Sequence, residues 1–277
     1  MEIRIIHEDK EFLAIDKPSG VVVNRSESAR GETVQDWAEK RLGIGGAEVV
    51  SRNFLAPNAE KVLSSNKKAD GANVRNENFE NSPHQSLEEE YRSRGGVVHR
   101  LDKETSGILL IAKNPQSFLN LKNQFKERIV EKEYLALAHG EVKPSEGEIN
   151  VPVGRLPYNR TKFGVIAGGR DALTNYEVIN YYKFKNEKLT FLRLNPKTGR
   201  THQIRVHLKY LNHPIFADPL YAGRKVGRDD RKYLNRLFLH AAKIKFVQPK
   251  SLEPISFESP LPKDLQNFLD GLAQIDK

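Results

Sequence analysis

The chain has 277 residues, is 38% hydrophobic, and carries 45 Lys and Arg against 36 Asp and Glu, a formal net charge of +9. That is enough chain and enough apolar residues for one large folded unit with its own core. The absence of cysteine excludes disulfides, thiolate catalysis and Cys-based zinc sites. No apolar run approaches the roughly 18 residues of a bilayer-crossing helix, and Met1-Glu2-Ile3-Arg4 lacks the plan of a signal peptide, so the default expectation is a soluble, cytoplasmic protein without a membrane partner. Charge is unevenly spread: residues 155–250 hold 21 Lys and Arg and only 6 Asp and Glu. A half this basic favours a polyanionic partner, because each phosphate it neutralises releases condensed counterions.

In chain order, Ile3–Ile6 and Phe12–Ile15 predict two short strands, and Asp16-Lys17-Pro18-Ser19-Gly20 predicts a turn into a third at Val21–Val23. Pro18 extends the backbone before it and Gly20 permits a sharp turn, which would present Lys17 on a loop. Thr33 is placed to cap a helix bearing Val34, Trp37 and Ala38 and ending at Gly43. Residues 56–96 hold six Asn, many charges and few large apolar residues, and read as a largely irregular polar insertion with a short helix at Leu87–Tyr91. Ile108–Ala112 is a buried strand, and Asn114-Pro115 opens a helix with Phe118, Leu121 and Phe125 on one stripe.

Glu131–Ala138 alternates like a strand, with Tyr134 among small and apolar residues, and residues 141–170 are rich in Gly, Pro and basic residues, as in loops or a ribbon. Strand patterns return at Thr174–Phe184 and Leu189–Leu194. Gly199 then provides a turn and Thr201 an N-cap for a helix carrying Ile204, Leu208 and Leu211. Arg200 and Arg205 stand near its start on different faces. A strand pair at Phe238–Ala241 and Ile244–Val247 and a helix from Pro262 close the chain. Strands alternating irregularly with few helices argue for a mixed sheet in an α+β protein.

The chemistry concentrates at Val98-His99-Arg100-Leu101-Asp102-Lys103-Glu104-Thr105-Ser106-Gly107, where an acid, an arginine and a histidine precede a buried strand. A metal site drawn from His99, Asp102, His202, His207 and His240 is disfavoured, since His202 and His207 lie five apart and not four. There is no G-x-x-x-x-G-K-[ST] phosphate loop and no G-x-S-x-G nucleophile elbow. What survives is a carboxylate acting alone in a basic cleft, held ionised by a cation, with Arg205 and Tyr134 as its candidate companions.

His99-Arg100-Leu101-Asp102-Lys103-Glu104-Thr105-Ser106-Gly107-Ile108-Leu109-Leu110 resembles the signature of the RluA-type pseudouridine synthases. Asp16-Lys17-Pro18-Ser19-Gly20, Lys132-Glu133-Tyr134, Thr198-Gly199-Arg200-Thr201-His202-Gln203-Ile204-Arg205-Val206-His207 and Leu239-His240-Ala241 resemble further segments of that family, in order. The resemblance implies an α+β pseudouridine synthase fold: a mixed, mostly antiparallel sheet flanked by helices and loops, with the cleft along the sheet. It implies one catalytic domain over residues 1–277, interrupted at 56–96, and an isomerase that converts uridine to pseudouridine in rRNA or tRNA as a monomer without cofactor or metal. Asp102 would be the catalytic carboxylate, attacking C1′ or the base or abstracting a sugar proton. Arg205 would pair with it, and Tyr134 would stack on the uracil, with proton transfer at C5 a second role to consider.

Arg100 would fill the gap left by a flipped uridine, Lys17 and Arg200 would contact RNA, and His99 and His202 would be structural. Stem-loop or single-stranded uridines are the expected targets, because their bases can be splayed out. Two departures stand out. Nothing before the first strand provides the S4 domain that many relatives carry, and Ala217 stands where the family pattern has glycine. The rival readings are a catalytically inactive RNA-binding or ribosome-assembly protein on the same fold, and an RNA N-glycosidase that breaks the bond without rejoining it.

Overall fold

The structure, a computed structural model, describes residues 1–26, 30–44 and 83–275, the side chains at 83–86 and 160 excepted. Its frame is a ten-stranded sheet. Across it run β1 (Arg4–Glu8), β2 (Phe12–Lys17), β3 (Ser106–Ala112), β10 (Leu239–Val247), β4 (Glu131–His139), β9 (Glu187–Pro196), β8 (Leu173–Phe184) and β12 (Ala273–Ile275). β5 (Glu146–Asn150) joins β8, and β11 (Pro254–Glu258) joins β10. Among the described residues only β3 and β10 pair in parallel, so the mixed, mostly antiparallel α+β expectation holds. A separate ribbon of β6 (Val153–Leu156) and β7 (Asn159–Val165) accounts for part of the Gly- and Pro-rich stretch.

β2 is apolar from Phe12 to Ile15 and β3 from Ile108 to Ala112 because both faces are covered there, and the period of two sorts their side chains. Phe12, Ala14, Ile108 and Leu110 pack with Phe118 and Leu121 of α3 (Pro115–Lys126). Leu13, Ile15, Leu109 and Ile111 pack with Val34 and Ala38 of α1 (Val34–Leu42). Both helices start where local chemistry puts them. Thr33 and Asp36 form a capping box on α1, Gly43 ends it in the left-handed region, and Asn114 caps α3 with Pro115 in its first turn.

Several sequence expectations need revision. Val21–Val23 is not a strand: the carbonyls of Val22 and Val23 accept hydrogen bonds from the Val34 and Gln35 amides, the free donors of the first turn of α1. The two strands expected at Phe238–Val247 are one, β10, with an irregularity between Ala241 and Lys243. Of the polar segment 56–96, residues 56–82 lie outside the described residues. From Pro83 the chain is helix α2 (Pro83–Ser93), longer than expected, and its Tyr91 is buried with its ring 6.0 Å from that of Phe118. One docked aromatic and its neighbour Leu87 offset the ordering of an otherwise polar helix.

The register lines up one row across five strands: Lys17, Gly107, Ala241, Tyr134 and Leu194 are successive partners on β2, β3, β10, β4 and β9. The tight point is Gly107. Its φ is +112°, and a Cβ there would lie 2.2 Å from the Ala241 carbonyl oxygen, so the parallel β3–β10 contact requires glycine. Gly107→Ala is expected to destabilise the fold by more than about 3 kcal/mol, since backbone must move at the centre of the sheet. Urea unfolding of the variant with a midpoint close to that of the parent chain would show the contact to be adjustable.

Candidate active site

Asp102 lies in the loop that delivers the chain to β3, and that loop is held from several sides. The Thr105 amide donates to the Asp102 carbonyl at 3.1 Å, the Gly20 amide to Lys103 O at 2.8 Å, and the Ser19 hydroxyl to Glu104 O at 2.7 Å. Arg231 pairs with Glu104 at 2.5 Å, and Arg236 donates to the Ser106 hydroxyl at 2.6 Å. Beneath the loop, Lys17 is fully buried and its ammonium donates to the carbonyls of Pro18, Val21 and Lys103 at 2.9, 2.9 and 3.1 Å. Lys17 is therefore not displayed on a loop for RNA, as its surroundings in sequence suggest; all three of its donors are consumed inside the protein. Burial, with Arg236 nearby, pushes its pKa down to about 7.

Arg205 comes from helix α4 (Gln203–Tyr210) and is 5% exposed. Its Nη1 donates to Asp102 Oδ2 at 3.2 Å, while Nε and Nη2 grip the two oxygens of Asp218 at 2.8 and 2.9 Å. Burial opposes its charge, yet Asp218 and then Asp102 raise its pKa above the ordinary guanidinium value. Asp218 is fully buried and also accepts from the Leu220 and Tyr221 amides at 2.8 and 3.1 Å. One guanidinium is thus fixed by a buried carboxylate and presents its remaining edge to the more exposed Asp102.

Helix α4 begins one residue later than expected: His202, not Thr201, is its N-cap, with φ 55° and no side-chain cap. The turn before it is held by Gln203 Oε1, which accepts from the Arg200 amide at 2.9 Å and the Thr198 hydroxyl at 2.6 Å. His202 Nδ1 lies 2.8 Å from the Tyr221 hydroxyl, whose oxygen already accepts the Phe163 amide at 3.0 Å. The other ring nitrogen, Nε2, lies 3.8 Å from Asp102 Oδ2. Burial holds His202 below its usual pKa, which favours the neutral imidazole.

Tyr134 lines the same cleft, and burial, reinforced by the charge of Asp102, raises its phenol pKa well above the usual value, so the hydroxyl stays protonated. His99 accepts the Leu110 amide on Nε2 at 3.0 Å and stacks on Phe125 at 4.4 Å; burial lowers its pKa to about 3, and it orders β3 as a neutral ring. The cleft enclosed by these groups measures about 530 Å³, and its wall includes Arg100 and Arg200. Arg100 is exposed, whereas Arg200 is half-buried with Nε donating to Asp171 O at 2.9 Å. Asp102, Tyr134, Arg205, Arg100 and Arg200 thus converge on one cleft, and Lys17 lies under it.

Asp218 and Tyr221 were not singled out in the sequence. The available signal was an acid in a short apolar loop within the basic half. That loop has a second buried support: Asp230 Oδ2 accepts from the Ala217 amide at 3.0 Å and from His139 Nε2 at 2.9 Å, and Glu187 lies on the other ring nitrogen at 3.2 Å. Ala217 itself has φ 59°, the left-handed region that glycine adopts freely, and Asp230 holds it there.

A family model described as RNA pseudouridylate synthase matches residues 11–210. The chain belongs to that family. It is 40% identical over 186 residues to ribosomal large subunit pseudouridine synthase D of Neisseria meningitidis serogroup B, covering 65% of this chain and 48% of that one. It is 32% identical over 280 residues to the protein of the same name from Xanthomonas campestris pv. campestris, covering 98% and 70%. The first of these is matched over only about half its length. Among solved structures, human RNA pseudouridylate synthase domain containing 1 superposes with a TM-score of 0.66 at 24% identity, over 99% of this chain and 89% of that one, which shows a shared fold.

Arg205→Met strands Asp218 as a buried carboxylate without its cation, and a loss of about 3–5 kcal/mol is expected in urea unfolding. Arg205→Lys should recover little of it, because an ammonium cannot serve both carboxylates with a planar fork. A second expectation concerns pH. Although burial opposes it, Asp230 raises the His139 pKa above 6.5, so the stability gained from the charged pair is full below pH 6.5 and fades as pH rises through the raised value. Asp230→Asn should narrow its stability deficit relative to the parent chain between pH 6 and pH 9; a deficit constant over that range would show that His139 is neutral throughout.

Proposed function

We propose that the chain isomerises uridine to pseudouridine in RNA, with Asp102 as the catalytic carboxylate. The observation that carries this reading is the Asp102–Arg205 pair at the floor of a cleft that also holds the Tyr134 ring. The reaction breaks the N1–C1′ bond, turns the base and joins C5 to C1′; the proton leaving C5 is balanced by one gained at N1. Atoms and electrons are conserved, so the chemistry calls for a positioned carboxylate and proton carriers without a redox partner or co-substrate. Arg205 aims Asp102 through Nη1, and His202 Nε2 lies 3.8 Å from the same carboxylate oxygen.

Tyr134 provides a flat ring for the uracil and a neutral hydroxyl near C5. Arg100, exposed at the cleft wall, is suited to take the place of the flipped base in the RNA stack, which offsets part of a stacking cost of a few kcal/mol. Arg200 lies on the opposite basic wall and serves the backbone. Large-subunit rRNA is the first substrate to test, because two of the relatives carry that name. Among the described residues no helix is long and apolar enough to cross a membrane. The reading is of a cytoplasmic enzyme acting as a monomer through one catalytic unit spanning residues 1–277.

The competing reading is an inactive RNA-binding protein on the same fold. Against it, an ionised carboxylate in an RNA cleft repels phosphate and serves no purpose in binding alone. Incubation with unmodified rRNA transcripts, followed by carbodiimide mapping, should reveal pseudouridine with no added cofactor. Asp102→Asn should reduce turnover to background while RNA affinity stays within about threefold and the melting temperature is maintained, since only the chemistry needs the charge. Turnover by that variant, or none by the parent chain on total rRNA and tRNA, would sink the proposal.

A further inference from the structure

The cleft is electrically lopsided. Asp102 is paired with Arg205, which Asp218 holds in turn, but around the start of β4 and the turn at residues 197–200 the wall carries Arg128, Lys132, Arg170, Lys197 and Arg200. Among the described residues none of these five is in an ion pair. Lys132 is the most exposed to the consequence. It is half-buried, and the hydrogen bond found for its ammonium is a long one, 3.5 Å to Thr198 O, although three donors need partners. Burial and then the charges of Lys197 and Arg128 push its pKa down to about 8, with no carboxylate opposing them.

A half-buried ammonium facing only like charges costs stability, and it makes physical sense where an anion completes it. The geometry says where that anion sits relative to the chemistry. Lys132 and Tyr134 are two apart on β4, hence on the same face and one strand repeat, about 6.8 Å, from each other. A base laid on Tyr134 therefore carries its sugar-phosphate chain past Lys132. Phe125 and His99, stacked on one another, line the cleft on the same side, so the anion has a flat, partly apolar neighbour suited to a second nucleotide.

We propose that Lys132, flanked by Arg128 and Arg200, is the seat of a phosphodiester subsite that takes a backbone linkage next to the flipped uridine. This rests on reading the cleft as an RNA cleft. The subsite fixes which nucleotide reaches Asp102 by holding the backbone at one linkage, a task distinct from the chemistry at C1′. It also explains why a half-buried lysine stands in the cleft wall with no ion pair among the described residues.

The test uses the whole chain and Lys132→Met, which keeps the length of the side chain and removes the charge. In phosphate-free buffer the variant should melt above the parent chain. Inorganic phosphate, at ionic strength matched with sodium chloride, should raise the melting temperature of the parent chain and not that of the variant. A short single-stranded RNA with one central uridine, made neutral by methylphosphonate at each linkage in turn, should lose about tenfold in affinity for the parent chain at one linkage beside the uridine, and nothing further for the variant.

A variant that melts lower and keeps the phosphate response would make Lys132 structural and overturn the subsite. A phosphate response lost in the variant, with RNA binding by the parent chain indifferent to every linkage, would assign the site to free phosphate and overturn the RNA assignment. Absence of pseudouridine formation by the parent chain bears on the catalytic proposal alone, because both binding measurements are independent of turnover.

Discussion

One guanidinium shared between two carboxylates is the interaction on which the rest of the structure depends. Arg205 is gripped by Asp218 through two hydrogen bonds and by Asp102 through one. The two acids differ in surroundings. Asp218 is buried and satisfied by two backbone amides as well, so it acts as a fixed anchor, while Asp102 keeps access to the cleft. A lone Arg–Asp pair would leave the guanidinium free to follow its partner. The second acid removes that freedom, and the position of the Asp102 carboxylate is then set by the loop at 215–221 as much as by its own loop before β3.

The other half of the constraint is the sheet. Lys17, Gly107, Ala241, Tyr134 and Leu194 share a row, and the missing side chain at Gly107 lets β3 approach β10 closely enough for that row to form. Lys17 then ties the first turn to Lys103 from below. Two covalently distant supports, a helix-borne arginine and a strand-borne lysine, meet at the same short loop from opposite sides. The loop is irregular in backbone but held by hydrogen bonds from Lys17, Ser19, Gly20, Arg231 and Arg236, which fixes where Asp102 sits.

Much of this was legible in the sequence wherever the cause was local. The caps at Thr33 and Asn114 and the apolar runs of β2 and β3 are set by neighbours within a few positions, and they appear where the pattern puts them. Asp102, Arg205 and Tyr134 were legible through the resemblance of their segments to a family, and the fold brings them to one cleft. Lys17 was misread because its burial depends on a carbonyl 86 residues away, and an isolated lysine beside Pro and Gly looks solvated. Val21–Val23 has strand composition, but its carbonyls are taken by a helix whose start lies eleven residues further on. Asp218 had only a weak local signal, an acid in a short apolar loop: its meaning is supplied by Arg205, on a helix that precedes it in the chain.

The distribution of charge follows a single logic once these positions are known. Acids in the basic half are few, and the buried ones are used in structure: Asp218 on Arg205, and Asp230 on His139 and the Ala217 amide. With these acids turned inward, Arg128, Lys132, Arg170, Lys197 and Arg200 in the cleft wall have no ion pair among the described residues, and they face the cleft. The net charge of +9 is therefore less informative than its arrangement. Cations paired at the surface would spread their attraction over the whole protein; here, among the described residues, cations without ion pairs border the same cleft as Asp102, so the attraction is concentrated there.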